Sequence, residues 1–180
     1  SFLALGVFGV FGGAWSLYDR QLLPFASGDL HTGTGEVREM RLADGTQISL
    51  ASRSAVDVRF DAQQRLIVLR AGEVFVSTAS DPHQRPLRVQ TAQGTLQPVG
   101  TRFSVRQDDQ ATHLAVLEGA VLARPLQAPG VEVRVEAGQA VMLHASCVAD
   151  SGRARDSDSA WRQGKLVVDN MPVAEVLAQM

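Results

Sequence analysis

Short runs of alternating apolar and polar residues follow one another through the middle of this chain. In the stretch "SAVDVRF", Val56, Val58 and Phe60 fall on one side, whereas Asp57 and Arg59 fall on the other. A period of two is the pattern of a half-buried β-strand. Runs of the same kind occupy residues 38–42, 46–50 and 65–69. The pattern therefore predicts a mainly β region.

A glycine between two β-forming runs recurs four times. The stretches are "LADGTQIS", "LRAGEVFV", "VLEGAVLA" and "VEAGQAVM", with Gly45, Gly72, Gly119 and Gly138 at their centres. Glycine accepts the positive φ of a tight turn or bulge without steric cost. Because the glycine spacings are uneven, a regular solenoid is excluded. We expect about ten short strands in stacked antiparallel hairpins, a sandwich or β-roll over residues 35–149.

The first nineteen residues differ from the rest. Residues 2–18 carry no charge, and Trp15 and Tyr18 lie near the end of this stretch. An apolar segment of this length with interfacial aromatic residues predicts a transmembrane helix over residues 1–19. The alternative is a secretory signal peptide, because residues 14–16 loosely fit a cleavage site. The chain begins at Ser1 without a basic segment, so we expect a fragment that starts within a longer protein. Residues 20–34 are predicted to be a juxtamembrane linker.

The C-terminal end changes character twice. Residues 150–160 are polar and predict a linker. Residues 161–170 then predict one strand, and an apolar stripe after Pro172 predicts an amphipathic helix, formed by Val173, Val176, Leu177 and Met180. One strand and one helix cannot bury their apolar faces alone. We therefore expect residues 161–180 to be the truncated start of a small α/β domain.

Composition limits the classes of function. The 180 residues carry a net charge of −2, and aromatic residues make up 6%, so neither an electrostatic nor a stacking surface for nucleic acid is indicated. The four histidines and the single Cys147 lie far apart, without the spacing of metal ligands. No catalytic triad, metalloprotease motif or phosphate-binding loop is present. We therefore expect a binding role with no metal and no cofactor.

A set of motifs in fixed order resembles one family. The motifs are "GEVREMRLADGTQISLASRSAVDVRF", "LRAGEVFV", "RPLRVQT", "VGTRFSV", "LAVLEGAV" and "WRQGKLVVDNMPVAEVLAQM". Together they resemble the FecR-type transmembrane sigma-factor regulators of Gram-negative bacteria. Two features depart from the family pattern: Leu87 replaces a usual Phe, and Gln97-Pro98-Val99 replaces a more regular strand.

The resemblance implies a single-pass inner-membrane protein. A cytoplasmic anti-sigma domain would precede Ser1, the β-domain would be periplasmic, and an STN-like domain would begin near Trp161. The implied partners are a cytoplasmic sigma factor and the signalling domain of a TonB-dependent outer-membrane transporter, often one for a ferric siderophore. Five residues are expected to contact the transporter domain: Leu166, Val168, Val173, Val176 and Leu177. The alternative is a periplasmic β-domain that binds glycans or serves as an envelope scaffold.

The resemblance also implies a candidate self-cleavage site. Some family members cut themselves at a Gly-Thr bond in the motif matching "VGTRFSV", where Gly100 and Thr101 stand here. A threonine hydroxyl next to a strained peptide can attack the preceding carbonyl as an internal nucleophile. The alternative is that Gly100-Thr101 is a turn entering a strand, with Thr101 present for its β propensity. His113 is a conceivable base that no spacing supports.

Overall fold

A computed structural model describes residues 27–155 and 160–163. In this part of the chain a single sheet of eleven strands precedes a short 3-10 turn at Trp161–Gln163. The mainly β prediction is confirmed. No helix within the described ranges is long and apolar enough to cross a bilayer. The strands are β1 (Ser27–His31), β2 (Arg38–Arg41), β3 (Gln47–Leu50), β4 (Ala55–Phe60), β5 (Arg65–Ser77), β6 (Leu87–Gln90), β7 (Gly94–Gln107), β8 (Thr112–Pro125), β9 (Val133–Glu136), β10 (Gln139–Leu143) and β11 (Val148–Arg153).

Three long strands change their pairing partners halfway along. The first half of β5 pairs with β4 and, in parallel, with β6, whereas its second half pairs with β3 and β7. The first half of β7 pairs with β6 and with the end of β8. Its second half pairs with β5 and with the start of β8. The strands therefore form two half-sheets that share β5, β7 and β8. The first contains β1, β4, β6 and β9, and the second contains β2, β3, β10 and β11.

The predicted hairpins exist at only one of the four glycines. Gly45 lies in the turn between β2 and β3, as expected. Gly72 and Gly119 lie inside continuous strands, and Gly138 joins β9 to β10, which both run antiparallel to β8. No hairpin forms at these three residues, but each has the positive φ that was expected of a turn or a bulge. The physical reason is that such a glycine bends a strand without ending it when neighbouring strands pair on both sides of the bend.

The core lies between the two half-sheets. One apolar cluster joins Val58, Ile67 and Leu96 of the first half-sheet to Ile48 and Val105 of the second. Val56 and Val58 are fully buried, as the alternation predicts. Leu87, where the family resemblance expects Phe, also lies in this core at 2% exposure. We call the face of each half-sheet towards this cluster the inner face and the opposite one the outer face.

The sheet extends beyond the predicted boundaries of the β-domain. Strand β1 pairs with β4, although it lies within residues 20–34, which were predicted to be linker. Strand β11 pairs with β10 and ends at Arg153, within the second predicted linker. Each brings one apolar side chain to the core, Leu30 in β1 and Val148 in β11, and is otherwise polar or small, so apolar alternation could not reveal them. The predicted transmembrane helix and the helix predicted after Pro172 lie outside the described residues. Of the strand predicted over residues 161–170, the structure describes only Trp161–Gln163, which form a 3-10 turn, so the strand prediction is wrong there.

The Asp-Gly hairpin is fastened by a buried ion pair. The Asp44 carboxylate accepts hydrogen bonds from the backbone N–H of Thr46 at 2.9 Å and from its hydroxyl at 2.7 Å. Arg65, at the start of β5, donates to the same carboxylate at 2.6 Å. The side chains of Asp44 and Arg65 are 0% and 8% exposed. Asp44 therefore joins the β2–β3 turn to β5 as well as shaping the turn.

Candidate functional site: a paired glycine bulge

The pairing of β7 with β8 is interrupted where the candidate cleavage site lies. Val99 pairs with Ala120 and Arg102 pairs with Glu118, so Gly100 and Thr101 together oppose Gly119. A second shift between Arg102 and Phe103 leaves Leu117 without a partner in the register. We call residues 99–102 of β7 and 117–120 of β8 the paired bulge. Because β7 continues on both sides, Gly100-Thr101 is a bulge inside a strand and not a turn leading into one.

The two glycines of the paired bulge have similar backbones and different surroundings. Their φ angles are 60° at Gly100 and 74° at Gly119. A Cβ at position 119 would overlap the carbonyl oxygen of Gly100 and come within 3.1 Å of its carbonyl carbon. A Cβ at position 100 would meet nothing within 4 Å. Glycine is thus required at 119 by the close approach of two backbones, whereas Gly100 is exposed to solvent.

The Thr101 side chain points inward and links both strands. At 2% exposure, its hydroxyl accepts a hydrogen bond from the Val99 N–H at 2.9 Å and donates one to the Ala120 carbonyl at 2.9 Å. These bonds satisfy backbone groups that the bulge removes from the regular ladder. Thr101 therefore has a specific structural role beyond β propensity.

Thr78, just after β5, holds the candidate peptide bond from the other side. Its hydroxyl accepts a hydrogen bond from the Thr101 N–H at 2.8 Å, and its own N–H donates to the Thr101 carbonyl at 3.0 Å. Thr78 lies 23 residues before Thr101 in the sequence, and no motif or spacing connects the two. Sequence reasoning missed it because only the pairing of β5 with β7 brings them together.

The arrangement places a hydroxyl, the carbonyl of an exposed glycine and a hydrogen-bonded peptide nitrogen at one bond. The Thr101 hydroxyl directs its proton to a backbone carbonyl, which is a weak base. Glycine adopts the φ of Gly100 without strain, so this angle does not supply the strain expected from the sequence. Both hydrogen-bond partners given for the Thr101 hydroxyl are backbone groups, so the site does not resemble that of a fast hydrolase.

His113 is too distant to act as the base. It pairs with Arg106, five residues along β7 from Thr101, which corresponds to about 16 Å. Its Nε2 lies 2.8 Å from Asp108 Oδ2 in the β7–β8 turn. Burial raises the pKa of Asp108, but hydrogen bonds from the backbone N–H groups of Gln110 and Ala111 and from His113 outweigh it and lower the pKa to about 2. His113 therefore belongs to the turn and not to the paired bulge.

The five predicted transporter contacts, Leu166, Val168, Val173, Val176 and Leu177, lie outside the described residues. The two residues at the start of their segment that the structure does describe, Trp161 and Arg162, contact the outer face of the second half-sheet. Sequence reasoning missed this contact. The Trp-Arg pair was the available signal, because an aromatic and a cationic side chain follow a polar linker.

An open cleft lies on the outer face of the first half-sheet and bears on the glycan-binding alternative. Its volume is about 390 Å³, and no aromatic ring is among its described lining residues. Small-molecule sites commonly combine aromatic or apolar walls with a few polar groups, so this cleft gives the alternative no specific support. Its lining residues are Gln64, Leu66, Arg88, Gln90, Thr95, Arg124, Pro125, Leu126 and Pro129.

Comparison with known proteins places the fold and the family. Two crystal structures of candidate anti-sigma factors from Parabacteroides distasonis share the fold. One, at 2.50 Å resolution, has a TM-score of 0.70 and 22% identity, over 84% of this chain and 72% of that one. The other, at 1.65 Å, has a TM-score of 0.71 and 23% identity, over 85% and 74%. No significant match was found among curated proteins. The family model described as "FecR protein" matches residues 28–122, which is more than half of the 180 residues and includes the paired bulge. This chain belongs to the FecR protein family.

Proposed function

We propose that this chain is the signal-receiving part of a sigma-factor regulator. The observation that carries the proposal is the family match over residues 28–122. The fold shared with candidate anti-sigma factors supports it. The described residues form a β-domain with many paired strands, which suits the transmission of a mechanical or binding signal.

In this proposal, residues 1–19 span the bacterial inner membrane and the β-domain is periplasmic. An N-terminal domain on the cytoplasmic side holds or releases the sigma factor. Residues 161–180 begin an STN-like domain that contacts the signalling domain of a TonB-dependent transporter. Leu166 and Val168 on the predicted strand, and Val173, Val176 and Leu177 on the predicted helix, provide the apolar contact surface. Pairing between a strand of this unit and a strand of the partner would need no catalytic group.

We further propose that the Gly100-Thr101 bond is cut once by the protein itself. The Thr101 Oγ1 forms a bond to the Gly100 carbonyl carbon, the C–N bond breaks, and the hydroxyl proton ends on the Thr101 nitrogen. Water then hydrolyses the resulting ester, which leaves a carboxylate on Gly100 and restores the hydroxyl. The exposed bulge admits that water. Thr78, whose hydroxyl lies 2.8 Å from the Thr101 nitrogen, is placed to stabilise the amine as it forms.

Cleavage at this bond would leave the two fragments interleaved. The second half of β7 remains paired with β5, from the Gly72–Gln107 pair to the Ser77–Arg102 pair. The first half remains paired with β8, from the Gly94–Pro125 pair to the Val99–Ala120 pair. Both pairings join residues on opposite sides of the cut. The cut domain would therefore stay assembled until a pull separates β7 from its neighbours, which makes the cut a means of sensing force.

Deletion of the complete gene in its own bacterium tests the regulatory role. We expect transcription to change at the promoters of one alternative sigma factor, and the parent gene to restore the original pattern. Complementation with a Thr101→Ala gene separates the two proposals, because this variant retains the regulator and cannot cut itself. Unchanged transcription at every sigma-dependent promoter after deletion would refute sigma-factor regulation.

A further inference from the structure

The chain returns to the sheet after leaving it. Strand β11 ends at Arg153, and it pairs with β10 at one edge of the sheet. The turn at Trp161–Gln163 nevertheless lies against the outer face of β2, β3 and β5. Arg162 places its guanidinium carbon 4.1 Å from the centre of the Phe75 ring and donates from Nε to the Ser49 hydroxyl at 3.1 Å. Trp161 donates from its indole nitrogen to a Glu73 carboxylate oxygen at 2.9 Å.

The surface under this turn is suited to it. Val74 and Val76 are in the core, so the intervening Phe75 points to the outer face, where an aromatic ring would ordinarily be solvent-exposed. Phe75 is nevertheless 1% exposed. An arginine over a desolvated ring is a favourable cation–π arrangement. In the described part of the chain, Arg162 and Arg102 both lie over this ring.

Polar groups around Phe75 complete the site. The Ser104 hydroxyl donates to the same Glu73 oxygen that accepts from Trp161, at 2.6 Å. The Ser49 hydroxyl, which accepts from Arg162, donates to Glu39 at 3.1 Å. Ser49 and Ser104 are each 4% exposed. The contacts of the turn are therefore continuous with hydrogen bonds between side chains of four strands, β2, β3, β5 and β7.

We propose that Trp161 and Arg162 form a latch that fixes the C-terminal segment to the outer face of β2, β3 and β5. The segment is then attached to the sheet at a second place besides the edge strand β11. A pulling force or a binding event beyond residue 163 therefore acts first, through the latch, on the middle of the second half-sheet. The latch is a binding site within the chain, and its occupant is this turn.

The latch is also connected to the paired bulge. Arg102, the residue after Thr101, lies over the same Phe75 ring at 5.9 Å from its centre. It also bridges to Glu118 across the bulge at 2.7 Å. Release of the latch thus removes a neighbour of Arg102 and loosens β7 beside Thr101. The latch is independent of the proposed self-cleavage, and only its consequence for signal relay rests on the proposed function.

Fluorescence of Trp161 tests the latch directly. The chain has two tryptophans, so Trp15→Phe leaves Trp161 as the single reporter. We expect acrylamide quenching to rise about threefold in Arg162→Ala, because the indole loses its covered position. Arg134→Ala, which removes an exposed arginine from β9, is the matched control and should leave quenching unchanged. The latch would be overturned if Trp161 in the parent were quenched as strongly as a free indole. It would also be overturned if Arg162→Ala left the quenching unchanged.

Hydrogen exchange in the same variants tests the connection to the bulge. We expect Arg162→Ala to speed exchange in peptides covering residues 72–77 and 99–107, and to leave residues 139–143 unchanged. Unchanged exchange around residue 101 together with increased quenching would overturn the connection. Both measurements are repeated with Thr101→Ala, so that failure of self-cleavage cannot be mistaken for failure of the latch.

Discussion

At the scale of single residues, the paired bulge contains two glycines with the same backbone conformation, and glycine is needed at each for a different reason. Gly100 and Gly119 both have positive φ, but only Gly119 is in close contact with the opposite backbone. The sequence predicted positive φ at Gly119 and marked Gly100-Thr101 through the family resemblance. It could not show that the two glycines face each other, because that follows from the register of β7 and β8.

Alanine substitutions should separate these two reasons. We expect Gly100→Ala to destabilise by about 1–2 kcal/mol, the cost of positive φ for a residue with a Cβ. Gly119→Ala should cost about 1–3 kcal/mol more, because its Cβ also overlaps the Gly100 carbonyl. Urea unfolding followed by circular dichroism measures both. Equal free energies of unfolding for the two variants would contradict the close approach at position 119.

Substitutions of Thr101 should separate its hydroxyl from its shape. Thr101→Val keeps the shape and leaves the Val99 N–H and the Ala120 carbonyl without their partner. We expect a loss of about 1–3 kcal/mol for each buried group left unsatisfied. Thr101→Ser keeps the hydroxyl and should lose only about 1 kcal/mol for one methyl group. A Val variant as stable as the parent in urea unfolding would show that these hydrogen bonds do not stabilise the bulge.

At the scale of elements, the alternation of apolar and polar residues predicted the strands but not the way in which consecutive strands are connected. The runs at residues 38–42, 46–50, 55–60 and 65–69 all fall in or beside strands. The sequence left either a turn or a bulge open at the glycines 72, 119 and 138, because residue types alone cannot distinguish a turn from a bend within a strand. Pairing with distant strands makes that choice, as β5 shows by exchanging β4 and β6 for β3 and β7.

The β2–β3 hairpin offers a test of how one element is attached to the next. Asp44→Ala would leave Arg65 buried without its carboxylate. We expect a loss of about 3–5 kcal/mol in the free energy of unfolding, as is typical when one partner of a buried ion pair is removed. Asp109→Ala changes an exposed aspartate in the β7–β8 turn and should stay within about 0.5 kcal/mol of the parent. Similar losses in the two variants would contradict the role of Asp44.

The β7–β8 turn should respond to acid. The pKa of Asp108 is about 2 in the folded protein, below the value of about 3.9 in an unfolded chain. Its contribution is therefore complete above pH 4 and disappears as the pH falls towards 2. Because the side chain is 49% exposed, we expect less than about 1 kcal/mol.

The comparison of Asp108→Asn with the parent from pH 5 to pH 2 measures this contribution. The difference in free energy of unfolding should be present at pH 5 and vanish near pH 2. A difference that stays constant over this range would show that the carboxylate charge does not stabilise the turn.

At the scale of the whole molecule, the order of motifs predicted more than any single pattern. It indicated the FecR family and the β-domain, and both are confirmed. It could not predict the two half-sheets, the contacts of Thr78 or the return of Trp161 to β5. Each of these depends on residues far apart in the sequence, 88 positions in the case of Trp161 and Glu73. The transmembrane helix, the STN-like domain and the transporter remain predictions.

We propose that β7 is cut at Gly100-Thr101 by the Thr101 hydroxyl within an intact fold. The chain contains its own control bonds, because Gly33-Thr34, Gly45-Thr46 and Gly94-Thr95 have the same sequence without the paired bulge. A residue-type effect would cut all four bonds. An effect of the bulge geometry would cut only the bond between residues 100 and 101.

Intact mass measurement under denaturing conditions, after incubation of the purified chain at neutral pH without protease, tests this most directly. We expect two fragments in the parent and in Thr101→Ser, one ending at Gly100 and one beginning at Thr101. We expect an uncut chain in Thr101→Ala. Under native conditions the two fragments should elute together, because the β5–β7 and β7–β8 pairings cross the cut. Self-cleavage would be contradicted by a single uncut parent chain after prolonged incubation. The role of the bulge would be contradicted by equal cutting at the other Gly-Thr bonds.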